Sequence, residues 1–312
     1  MDREHLHYME QLSEMYPTIN KAAAEIINLQ AIVNLPKGTE HFLSDIHGEY
    51  DAFSHVLKNG SGAVRKKIED VFGLALSDSD KAGLATLIYY PKKKMELIKQ
   101  TESDMDLWYK VTLYRLIEVC KTVSSKYTRS KVRKALPEDY AYVIEELITE
   151  KPEVLNKEAY YEAIVNTVVE LGQAEQFIVV LCELIQQLAV DHLHVLGDIF
   201  DRGAGSHLIM DKLCKYHSLD IQWGNHDIIW MGAAAGSPIC ICTVLKTTLA
   251  YHNHGMLEDC YGINLRHLQR MAEQFYGDDD LRIWMPHTDA ARGPYTAGML
   301  NRCAVMHKAV TI

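Results

Sequence analysis

Three short segments of this chain combine residue types that bind metal ions and move protons. They are Asp45-Ile46-His47-Gly48, Gly197-Asp198-Ile199-Phe200-Asp201-Arg202-Gly203 and Gly224-Asn225-His226-Asp227. At the end of an extended strand alternate residues point the same way, so one turn can present Asp45 and His47 to a single ion. Asp198, Asp201 and Arg202 lie on a glycine-bounded turn, and Asn225 and His226 on another. Carboxylate, imidazole and amide oxygen together suit a moderately hard divalent ion such as Mn²⁺, Fe²⁺ or Zn²⁺. No thiolate stands among them, which argues against a structural zinc site. Taken singly, Asp-x-His also arises by chance, and Gly-Asn-His-Asp can be a plain helix N-cap turn. The segment with two aspartates and an arginine is more specific, because charged groups are rarely set directly after an apolar strand without partners.

The elements around these segments repeat one pattern. Glu40–Ser44, His192–Leu196 and Leu219–Trp223 read as short strands, each ending in one of the three turns. Helical patterns follow at Glu49–Lys58, Ser206–Lys215 and Asp227–Ala235. Strand, turn and helix in that order predict βαβ units of a parallel sheet, where ligands collect beyond the carboxyl ends of the strands. Roughly 150 residues separate the first strand-turn from the second, far more than the dozen or so a crossover requires. This intervening chain is almost wholly helical in pattern, clearest at Trp108–Val123 and Pro137–Thr149. The fold expected is therefore α/β with a large helical insertion. Residues 1–62 hold an amino-terminal helix over 5–34 and the first βα unit, 63–190 the insertion, and 191–312 the rest of the core.

Composition narrows the function. The chain has 312 residues, 48% hydrophobic and 24% charged, and a formal net charge of -10. That balance is globular, and its acidity argues against a nucleic-acid partner, which calls for a basic stripe. An anionic substrate remains open, since bound metal charge overrides the average. The seven cysteines contain no C-x-x-C pair. They read as small buried hydrophobes in a reducing cytosol. Lysine-rich runs such as Lys92-Lys93-Lys94 and 131–134 read as solvated faces. Met1 is followed by Asp2-Arg3-Glu4-His5 with no apolar signal core, and no window approaches the roughly 18 apolar residues of a membrane span. A cytoplasmic protein without membrane contact is expected, and homo-oligomerisation is left open.

The three segments, in this order, resemble the metal-binding motifs of the calcineurin-like metallophosphoesterases, which include protein serine/threonine phosphatases and diadenosine tetraphosphatases. Their surroundings are similar more narrowly to the class III fructose-1,6-bisphosphatases of Firmicute-type bacteria. The stretches that carry this likeness are 34–50, 108–136 with Ser125-Lys126-Tyr127-Thr128-Arg129-Ser130-Lys131, and 191–236. The long helical insertion is a trait of the same family. The likeness spans roughly residues 5–277 and loosens between Asp278 and Asn301. The resemblance implies a calcineurin-like core and two divalent ions, Mn²⁺ by expectation, that hydrolyse fructose 1,6-bisphosphate in gluconeogenesis. By the same resemblance Asp45 and His47 bind the first ion, Asp198 bridges both, and Asn225 binds the second. His226 protonates the leaving alkoxide, Asp201 holds that imidazole, and Arg202 clamps the phosphoryl oxygens. A phosphoprotein or dinucleoside tetraphosphate substrate on the same core stays an alternative.

The family's pattern also includes later histidines, one completing the second metal and a Gly-His-x-His-type segment serving both. None of His252, His254, His267, His287 and His307 stands in such a context, and they read as surface or helix-face residues. Ala204 replaces a proline common in relatives. Met306–Ile312 reads as a helix interrupted in progress. The expectation is an incomplete core, an amino-terminal part of a longer enzyme, that by itself holds metal poorly and hydrolyses little. A non-catalytic interaction module is the further alternative.

Overall fold

A computed structural model describes residues 3–149, 157–288 and 293–312. The chain forms two compact units, one of Met1–Gly38 with Lys66–Leu188 and the other of Thr39–Arg65 with Ala189–Ile312. The second contains all three motif segments.

The first unit is helical. Helices Met105–Ser124, Ala141–Thr149, Glu158–Glu170 and Ala174–Ala189 contribute its core. Leu113, Leu116, Ile144, Leu147, Phe177, Ile178, Leu181 and Ile185 are fully buried there. Each is worth roughly 1.5–3 kcal/mol of transfer free energy. Polar groups are tied in at the edges of this core, as where Tyr109 donates to Glu175 at 2.8 Å and Gln186 donates to the Ile88 carbonyl at 2.6 Å. Glu138–Tyr140 is a single 3₁₀ turn rather than the start of a helix at Pro137.

The single helix expected over 5–34 is in fact two, Arg3–Met15 and Ile19–Val33. Pro17 is the cause, because proline has no N–H for the ladder and pushes the residue before it out of the α region. Thr18 restarts the helix as an N-cap, extended at φ -134° and accepting from the Lys21 amide. The apolar periodicity of Ile19–Val33 does not lead to burial, and Ile26 and Ile27 are exposed.

The second unit is built on three parallel strands in the order β1 (Glu40–Leu43), β2 (His192–Val195) and β3 (Leu219–Ile221). Among the described residues this is the sheet; the α/β expectation holds, with much more helix than strand. Alternation in β2 sends Leu193 and Val195 into a core with Phe53, Leu57, Ile209 and Leu213. Helices Tyr50–Asn59 and Ser206–Leu213 supply those partners, so one face of the sheet carries the two helices that follow the first two motif turns. Helix Asn225–Ala234 follows the third turn. Helices Pro238–Ala250, Arg266–Tyr276 and Ala297–Thr311 form a separate core around Leu249, Ala272, Cys303 and Met306.

Three cysteines, Cys120, Cys182 and Cys303, are the buried hydrophobes expected. Cys214, Cys242 and Cys260 are exposed instead: Cys214 and Cys260 stand just past the ends of short helices, and Cys242 is on the open side of helix Pro238–Ala250. Among the described residues no helix is long and apolar enough to cross a membrane.

Candidate metal centre

All three motif turns lie at the carboxyl ends of the parallel strands. Their backbone is unusual at the points where chemistry is expected: Asp45, His47 and Asp198 adopt left-handed φ values of 52°, 50° and 54°. Such conformations cost a non-glycine residue about 1–3 kcal/mol each and persist only where the surroundings enforce them. Here the enforcement is a lattice of backbone hydrogen bonds between loops. The His47 amide donates to the Asp198 carbonyl at 2.7 Å, and the Gly203 amide to the His47 carbonyl at 2.7 Å. The Gly205 amide donates to the Gly48 carbonyl at 3.0 Å. Gly203 and Gly48 cross so closely that a Cβ on either would strike the other's backbone.

A carboxylate reinforces the lattice from a third loop. Asp227, 7% exposed, accepts from the Ile199 and Phe200 amides through Oδ1 at 2.9 and 3.1 Å. Its Oδ2 accepts from the Gly224 amide at 2.9 Å. Asn253, also buried, donates its side-chain amide to the Arg202 carbonyl. Neither Asp227 nor Asn253 was expected to have a role. The first carried a readable signal, since an acidic residue three positions into a helix commonly caps its start. The second carried none, because its partner is 51 positions away.

Side chains converge within this frame. His47 Nε2 lies 3.6 Å from Asp45 Oδ1, and His47 Nδ1 lies 3.2 Å from Asp201 Oδ2. Asp201 Oδ1 lies 3.6 Å from His226 Nδ1. Asp201 thus stands between the two imidazoles, whose rings are 6.3 Å apart and nearly perpendicular. Asp198 Oδ1 accepts from the His226 amide at 3.3 Å, and Gly224 is pressed against the same carboxylate. His47 and Asp201 are largely enclosed while Asp45 is open to solvent. Arg202 and Asn225 sit on the same loops with exposed side chains.

This donor set fits a divalent cation. Asp45 and His47 face each other across 3.6 Å with a carboxylate and an imidazole, the pairing a borderline-hard ion takes. His47 Nδ1 is buried with the Asp201 carboxylate 3.2 Å away, which leaves Nε2 on the side of Asp45. An apolar cavity of about 640 Å³, walled by Phe200, Trp223, Trp230 and Met231, lies beside the third loop. Its walls offer nothing to a phosphate and it is not the place for this chemistry.

The later histidines divide. His267 and His287 are exposed as expected. His252 and His254 are half-buried, with rings 5.1 Å apart, because the turn that seats Asn253 under Arg202 draws both inward. His307 packs its Nδ1 3.0 Å from the Trp284 carbonyl.

A family model described as Firmicute fructose-1,6-bisphosphatase matches residues 7–312. It runs through Asp278–Asn301, where the likeness had been expected to loosen. A Clostridium beijerinckii protein named fructose-1,6-bisphosphatase class 3 is 57% identical over 309 residues, covering 99% of this chain and 46% of that protein. Class 3 proteins of the same name from Clostridium novyi and Bacteroides fragilis are 55% and 54% identical, over 99% and 98% of this chain and 46% of each relative. The chain therefore spans about half the length of the curated relatives it matches. No solved structure matches it.

Proposed function

Starting from a chain that belongs to the Firmicute fructose-1,6-bisphosphatase family, we propose that its three loops form part of a metal-dependent phosphomonoesterase site that releases the C1 phosphate of fructose 1,6-bisphosphate. The observation that carries this reading is the alignment of His47, Asp201 and His226 at the carboxyl ends of parallel strands, with Asp45 and Asp198 alongside. The core is proposed to be a calcineurin-like one. The relatives' name supplies the substrate.

Asp45, His47, Asp198 and Asn225 would hold two divalent ions, for which we propose Mn²⁺. What such ions supply when bound is charge neutralisation at phosphorus and a water of lowered pKa. The chain's own residues account for the rest. Arg202 presents a planar fork suited to two phosphoryl oxygens, a geometry lysine lacks. His226 gives a proton to the departing O1 as the P–O bond breaks, which spares the sugar from leaving as an alkoxide. Asp201, beside His226 Nδ1, orients that ring. Water attacks phosphorus directly, without a phosphoenzyme, so solvent oxygen enters the released phosphate. Hydrolysis of a substrate made chiral at its C1 thiophosphate, in isotopically labelled water, checks the route: one displacement inverts phosphorus, and retention, the mark of a phosphoenzyme, overturns it.

The main test compares turnover of fructose 1,6-bisphosphate, a phosphopeptide and a dinucleoside tetraphosphate by a protein that carries this chain. The sugar bisphosphate is expected to be preferred, and Asp198→Asn to abolish its metal-dependent hydrolysis. Preference for either competitor refutes the substrate; undiminished activity in the variant removes Asp198 from the mechanism.

A further inference from the structure

The sheet carries a second group of metal-ligating side chains, on the face opposite Leu193 and Val195. Alternation along β2 puts His192 and His194 on that face together, and the β2–β3 register sets Asp220 beside His194. His192 Nε2 and His194 Nδ1 lie 2.9 and 3.2 Å from the same oxygen, Asp220 Oδ2. One ligand atom from each of the three residues falls within 4.8 Å of the others, and among the described residues no other such group of three does. None of them belongs to the motif loops.

We propose that His192, His194 and Asp220 bind a divalent transition-metal ion of the Zn²⁺ type, which ties β2 to β3. The arrangement of the outward nitrogens argues for it over a plain hydrogen bond from a neutral ring. A metal-bound imidazole normally passes its other N–H to an oxygen, which fixes ring and tautomer. His192 has Ser218 Oγ 2.6 Å from Nδ1, leaving Nε2 to face the site. His194 has Nε2 buried with no hydrogen bond, and its nearest carboxylate is Glu40 Oε2 at 3.9 Å. If His194 merely donated Nδ1–H to Asp220, that buried Nε2 would point a lone pair toward a carboxylate. With Nδ1 on a metal, Nε2 carries the proton, and its charge faces the Glu40 carboxylate at 3.9 Å rather than a lone pair doing so. The His194 ring is further held by stacking on Phe42, with centroids 4.4 Å apart and planes inclined by 12°. Two imidazoles and one carboxylate, with room for a water, is a common three-residue zinc ligand set. Nitrogen-rich ligation also favours Zn²⁺ over Mn²⁺, in keeping with the usual order of divalent affinities.

The test separates this site from the loops. The 312-residue chain bearing Asp45→Asn and Asp198→Asn is stripped with chelator and dialysed against Zn²⁺. It is expected to retain about one ion per chain and to gain thermal stability from it. Asp220→Asn, a near-isosteric change at an exposed residue, should abolish that retention, and Ser218→Ala should weaken it about tenfold. In the otherwise native chain, Asp220→Asn should lower total bound Zn²⁺ by about one equivalent with unchanged far-ultraviolet circular dichroism. Co²⁺ in place of Zn²⁺ should give ligand-field bands that the same variant loses. Zn²⁺ content and Co²⁺ bands unaltered by Asp220→Asn in the native chain overturn the proposal, whether or not the loop variant folds.

Discussion

Asp227 spends its charge on peptide groups rather than on substrate. Both oxygens are committed, one to the Ile199 and Phe200 amides and one to the Gly224 amide, so the carboxylate fixes the second loop relative to the third. An asparagine has only one acceptor oxygen, so its NH₂ must then face an N–H, and a buried donor is left unsatisfied. Asp227→Asn is expected to cost about 2 kcal/mol, the scale for removing a buried, charge-assisted acceptor. Urea unfolding reads the loss directly. His41 offers a titration at the same scale. It is 5% exposed, with Ser61 Oγ 2.6 Å from its ring, and burial holds its pKa below the ordinary 6.5. The folded state therefore binds fewer protons than the unfolded one around that pH. The contribution is present above about pH 6.5 and is lost as pH falls through the lower folded value. Urea midpoints should decline on acidification, and less steeply in His41→Gln; parallel slopes would show that His41 does not contribute.

At the scale of elements, the three strands are short, and what they position is set as much by the turns beyond them. Positive φ at Asp45, His47 and Asp198 aims side chains that a relaxed strand end would send elsewhere. The glycines at 48 and 203 let the first two loops cross at van der Waals contact. Gly203→Ala is expected to destabilise by about 1–3 kcal/mol, the range for forced overpacking, because the added methyl meets backbone that cannot swing aside. Thermal unfolding measures it. A variant as stable as the parent would mean that the crossing is looser than described.

For the whole molecule, thiol accessibility reports the two units together. Cys120 and Cys182 lie in the helical unit, where burial raises both thiol pKa values, and burial pushes Cys303 up to about 12. Reaction needs thiolate and access together. Cys214, Cys242 and Cys260 should label with a maleimide in the native state, whereas Cys120, Cys182 and Cys303 should label only on unfolding. Mass-mapped labelling over time checks the order.

The sequence by itself determined which residue types stand on the loops and that the fold is α/β. Residue type and spacing are local properties: Asp-x-His after a strand, Gly-Asp-x-x-Asp-Arg-Gly and Gly-Asn-His-Asp can be read without knowing what they touch. The strand–turn–helix repeat placed them at strand ends for the same reason. Tertiary structure decided what depends on distant partners. It put Asp201 between His47 and His226, not beside His226 alone, and brought Asp227 and Asn253 under loops 27 and 51 positions away. It left Ile26 and Ile27 exposed, since periodicity records an apolar stripe but not what covers it, whereas the break at Pro17 is a local effect that the sequence already carried. The His192, His194 and Asp220 cluster depends on both. Alternation made the two histidines neighbours in sequence, but only the register of β2 against β3 brought the carboxylate to them.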